Sequence, residues 1–181
     1  MSRRMLPPAA AILGLCLALS GAIAGARAAS PSSHARFSAW DEQWLMTSIQ
    51  GDRFEIASGT LAATQGTDAR VRALGQRLVK DHSASLKDAI RVAHRLGIDV
   101  PGSPSPSQRW ELKTVAAFTA GDFDRRYADL EVLDHVQDIQ ESKDEVQKGV
   151  NRSVRHLASS DLPTLREHLK LSREALRAVG G

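Results

Sequence analysis

Four times along this chain, apolar side chains recur in steps of three and four for about thirty residues at a stretch. The clearest run is Val71, Leu74, Leu78, His82, Ser85/Leu86, Ala89, Ala93 and Leu96. Such steps lay one continuous stripe along an α-helix, whereas a strand would need alternation. Gly66, Gly97 and Gly149 stop three of the four runs, as glycine does where a helix must end. Runs of Val, Ile and Thr are absent, and only 4% of residues are aromatic. That balance favours helix over sheet. With 181 residues the chain holds one domain and not comfortably two.

Residues 1–28 read as a secretory signal peptide. Arg3 and Arg4 form its positive start, and Ala9 to Leu19 form an apolar core too short to span a bilayer comfortably. Ala26-Arg27-Ala28 offers small residues to the peptidase, so cleavage is expected after Ala28. The single Cys, Cys16, lies mid-run after Leu15 and does not fit a lipidation site. Cleavage removes Arg3, Arg4 and Arg27, leaving 21 basic against 21 acidic residues. A neutral mature chain argues against a nucleic-acid partner, which needs a retained basic patch. A mature chain without Cys has neither disulfides nor thiolate chemistry. The expectation is a periplasmic or secreted protein with no transmembrane span after cleavage.

Residues 29–38 are small and polar, a flexible lead-in to a single four-helix domain over 39–179. α1 is expected over 39–65, with Ser38 as N-cap, Asp41 completing a capping box, and a stripe of Trp40, Trp44, Leu45, Ile49, Ile56 and Gly59. α2 follows over 68–96 with Thr67 as N-cap. Residues 98–107 hold Pro101, Pro104 and Pro106 and form a semi-rigid linker. A short α3 over 108–119 carries Trp110, Leu112, Val115 and Phe118. α4 spans 122–149 and α5 spans 151–179, where Pro163 either kinks the helix or starts its main part with Asp161 as N-cap. The long stretch between α2 and α4 can run the length of a bundle, the long-crossover topology. The tryptophans are expected in the core at the bundle ends.

Glu55, His82, His135 and His168 come one from each long helix, all near an inward stripe. His94 and His156 fall about 120° off those faces. One carboxylate and three imidazoles suit one divalent metal, such as zinc, iron or manganese. Asp124, Tyr127, Glu131 and Asp134 on α4 would supply acceptors that fix the imidazole tautomers. Two other readings stay open. The four groups can form a buried polar network that sets helix register, or a metal-free catalytic site. A spread of more than about 10 Å along the axis would keep one ion from joining all four.

The chain resembles an exported bacterial domain-of-unknown-function family whose members are often labelled outer membrane proteins. The matching pieces are Glu55-Ile56, Lys80-Asp81-His82-Ser83, Gly97 with Val100-Pro101, Phe123-Asp124, Tyr127, Asp134-His135, Leu162-Pro163 and His168-Leu169. The resemblance implies an all-α, ferritin-like four-helix bundle in the cell envelope, and no particular reaction. The Glu-x-x-His pattern of di-iron proteins is not met, since Val79, Val132 and Leu165 stand three before the histidines. The leading expectation is a binding or stress-related envelope module. The alternatives are a metal-dependent redox or hydrolytic protein, and a structural role through homo-oligomers or docking to the outer membrane.

Overall fold

The computed structural model describes residues 37–180; the expected signal peptide and most of the lead-in lie outside the described residues. Five helices form, with no strand among the described residues: α1 Ala39–Gln65, α2 Ala69–Leu96, α3 Pro106–Ala116, α4 Ala120–Lys148 and α5 Arg152–Val179. None of these helices is long and apolar enough to cross a membrane.

Short links join α1 to α2 and α4 to α5, so each pair packs as an antiparallel hairpin. Two carboxylates show how the hairpins stack. Asp124, in the first turns of α4, accepts from the backbone N–H groups of Thr67 and Asp68 in the α1–α2 turn. Asp41, in the first turn of α1, accepts from the backbone N–H groups of Val150 and Asn151 at the other end. The chain leaves α2 near the Asp41 end and enters α4 near the Asp124 end. The connection over 97–119 therefore runs the length of the bundle with α3 inside it, the ferritin-like long crossover.

The apolar core is interrupted. One cluster, around Phe37, Trp44, Leu45, Ile49, Val92, Ile98 and Leu157, fills the Asp41 end. Another, around Phe54, Leu74, Leu78, Phe123, Tyr127 and Leu130, fills the Asp124 end. Asp52, Glu55, Ser58, His82, Glu131, His135 and His168 are buried as well, and they belong to neither cluster. α1 and α2 approach closely through a pair of glycines: a Cβ on Gly59 would stand 2.7 Å from the Gly75 carbonyl oxygen.

Several sequence expectations are corrected. Asp68, not Thr67, caps α2, its side chain accepting from the Arg70 N–H, while Thr67 gives its own N–H and hydroxyl to Asp124. α3 starts at Pro106, whose missing N–H costs nothing in a first turn. α5 is one helix capped by Asn151, with Pro163 inside it, so Asp161 caps nothing. Phe37 is buried and Ser38 forms the predicted capping box with Asp41, so these two residues of the expected lead-in belong to the fold. Trp40 and Trp110 are 44% and 73% exposed rather than core, and Trp40 lies under the Lys148 ammonium at 4.7 Å. Phe54, absent from the expected α1 stripe, is fully buried.

Candidate functional site

His82, His135 and His168 are brought together inside the bundle by α2, α4 and α5, and a ring nitrogen of each lies within 4.8 Å of those of the other two. Each ring reaches the interior because it falls on its helix's inward stripe, and each is at most 5% exposed. The ring centroids stand 5.2 to 5.8 Å apart.

The hydrogen bonds decide which nitrogen each ring turns inward. His135 Nδ1 lies 2.8 Å from the Glu131 carbonyl, an oxygen that only accepts, so Nδ1 carries the proton. His168 Nε2 lies 3.0 Å from Asp81 Oδ2. Asp81 feels burial, but hydrogen bonds from His168 and Arg77 outweigh it and hold its carboxyl below the usual range. It is therefore the ionised acceptor, and His168 Nε2 carries the proton. His82 Nδ1 pairs with Asp52 Oδ1 at 2.8 Å, and its Nε2 meets no partner. What remains is His135 Nε2 facing His168 Nδ1 at 3.2 Å, with His82 Nε2 unengaged.

Two bare nitrogens at that separation repel unless something positive lies between them. A third proton is disfavoured, because burial drives all three rings down: His82 and His168 to about 4, and His135 to about 3 with its two neighbours adding to the effect. Two imidazole nitrogens on one tetrahedral ion, each about 2.0–2.1 Å from it, are about 3.3 Å apart. The observed spacing matches.

Glu55 does not join the histidine triplet. It groups with Glu131 and His135, and again with Asp134 and Asp138. Burial, and then the charges of Glu131 and Asp134, push Glu55 well above the carboxylate range. Glu131 is pushed up to about 8, first by burial. The Tyr127 hydroxyl, raised by burial and by these carboxylates, sits beside Glu131 and Ser58. Asp134 faces Glu55 and bonds no ring nitrogen, although its charge reaches His82 and His135. Asp124 is corrected outright: it holds the α1–α2 turn and contacts no histidine. The rings are held by Asp52, Asp81 and the Glu131 carbonyl; Asp52 and Asp81 sit next to or on an inward stripe, but nothing in the sequence marks either for that task.

A cavity of about 370 Å³ reaches His82 and His168 from outside; its wall includes Asp88, Asp138, Glu141 and Asp161, with Arg77 its one Lys or Arg. Burial, and then the charges of Asp52 and Asp88, raise Asp161 to about 7. The field in this cleft favours cations.

Comparison with known proteins gives a family and a fold. None of the curated proteins matches the chain. A solved structure described as the crystal structure of a DUF305 fragment from Deinococcus radiodurans is similar, with a TM-score of 0.69 at 13% identity, covering 78% of this chain and 98% of that one. At that identity the likeness concerns the fold alone. The family described as "Domain of unknown function (DUF4142)" matches residues 26–174, so the chain belongs to that family.

Proposed function

We propose that this is an exported, envelope-located bundle that binds a transition-metal ion at His82, His135 and His168. The observation that carries the reading is the orientation of the rings. Each engages a protein partner through one nitrogen and turns the other inward, with His135 and His168 donating and His82 paired to the buried Asp52 carboxyl, the arrangement by which outer partners orient metal-binding imidazoles. Three neutral imidazoles suit zinc, copper or iron better than calcium or magnesium. An interior built only to hold register would not need facing bare nitrogens. The acidic cavity supplies a way in for a cation and space for a fourth ligand. That space favours a second reading, a metal-dependent redox or hydrolytic activity, since catalytic zinc sites keep one position open.

The test is metal content of the untagged mature chain purified from the periplasm, beside a His82→Ala/His135→Ala variant. Near-stoichiometric metal that the variant lacks supports the site. No metal in either protein, also after soaking with zinc, iron and manganese, removes it and leaves the histidines as a register network.

A further inference from the structure

On the other side of His135 lies a pair of fully buried carboxyl groups with too few donors for their four oxygens. Glu55 on α1 and Glu131 on α4 are both 0% exposed. Ser58 Oγ donates to Glu131 Oε1 at 3.1 Å, whereas Glu131 Oε2 and both oxygens of Glu55 face other carboxyl groups and the Tyr127 hydroxyl, so a proton or a cation must lie among them. An oxygen of each and a nitrogen of His135 lie within 4.8 Å of one another. His135 Nδ1 faces Glu131 Oε2 at 3.7 Å, yet its proton is held by the Glu131 carbonyl, so on this side the available donors are oxygens. Asp134 stands close enough to Glu55 to add another. The surrounding protein brings no positive charge. Among the described residues, the buried charged groups are carboxylates and histidines, with no Lys or Arg. A buried carboxylate without donor or counter-charge is strongly disfavoured, and a cation relieves it.

We propose that Glu55 and Glu131 form a second, oxygen-lined cation seat, separated from the three-histidine seat by the His135 ring and suited to a hard divalent ion such as Mn²⁺. The seats differ in donor chemistry, nitrogen on one side and carboxylate on the other, so they sort ions by hardness. The inference rests on the three-histidine reading for its neighbour only; the two seats are counted separately.

The full chain is stripped with chelator, loaded with Zn²⁺, then equilibrated with Mn²⁺, and both metals are counted by mass spectrometry after dialysis. The expected result is one zinc and one manganese per chain. Glu55→Gln/Glu131→Gln should keep zinc and lose manganese, and His82→Ala/His168→Ala should do the reverse. Far-UV circular dichroism checks that each variant folds, and Glu55→Gln alone reads the same count if the double variant does not. The proposal is overturned if zinc-loaded wild type takes no more manganese than the glutamate variant, or if Glu55→Gln loses zinc, which would make Glu55 the fourth ligand of a single site. Manganese without zinc would sustain this seat and remove the histidine one; neither metal removes both.

Discussion

Glu145 shows what one buried carboxyl does when its neighbour is already committed. Its oxygens are buried without a donor, packed over Gly149. Across from it stands Asp41 of α1, and Arg155 of α5 acts on it more weakly. Burial pushes Asp41 up, but hydrogen bonds from Ser38 and Asn151 outweigh it and hold Asp41 ionised. Glu145 therefore keeps the shared proton, raised to about 8 by burial and by Asp41. A raised folded pKa places this stabilisation fully below the unfolded value of 4.5, and it is lost as pH rises through 8. Glu145→Gln keeps a donor toward Asp41 but does not titrate. Urea midpoints for both proteins at pH 5, 7 and 9 should show wild type losing ground to the variant as pH rises. Parallel curves would refute the shared proton; the other buried carboxyls, Glu131 included, act alike in both. At this scale the sequence was legible in azimuth and not in height. Asp124 shares a face with His135 but lies eleven residues earlier, about 16 Å along the axis. Asp52 and Asp81 meet their rings across helices, a pairing that periodicity within one helix does not report.

The helices themselves were read closely because each carries its own start, stop and stripe. Ser38 with Asp41, and Gly97 at φ 73°, sit where the sequence put them. The misplaced starts fell where neighbouring residues were equally good caps, as with Thr67 and Asp68, and tertiary contacts to Asp124 settled the choice. The packing of α1 on α2 was less visible. Gly59 reads as part of a stripe, yet its use is to let two backbones approach, which shows only when Gly75 is seen opposite. A Cβ on Gly75 would meet the Ala62 side chain at 2.8 Å and Ala63 N at 2.9 Å, with the Gly59 carbonyl closer still. These are backbone and short side-chain atoms that cannot swing away. Gly75→Ala gains about 1 kcal/mol of intrinsic helix propensity but must spread two helices, and overpacking costs about 1–3 kcal/mol. The net expectation is a destabilised chain, read as a lower urea midpoint with unchanged slope. A more stable variant would mean that α1 and α2 are not in this contact.

For the whole molecule the decisive feature is the polar layer between two apolar clusters. Both clusters draw on all four long helices or on three of them, so they fix the architecture without the histidines. The layer contributes little apolar burial and leaves acceptors unsatisfied, including Asp52 Oδ2, Glu55 Oε1 and Oε2, and Glu131 Oε2. A bundle built this way should be least stable when stripped of cations. Anything bound only by the folded form raises its stability by RT ln(1 + [L]/Kd), about 2.7 kcal/mol at one hundred times Kd. Calorimetry of the chelator-stripped chain should therefore show a lower Tm than the zinc-loaded one, with the gap widening as free zinc rises. In His82→Ala/His168→Ala the gap should vanish, because the unfolded chain still carries enough His and carboxylate to bind weakly but the ordered site is gone. Equal melting with and without metal in the wild type would mean that the layer is satisfied by protons alone. The clusters would then carry the fold, and the histidines would serve only to keep the four helices in register.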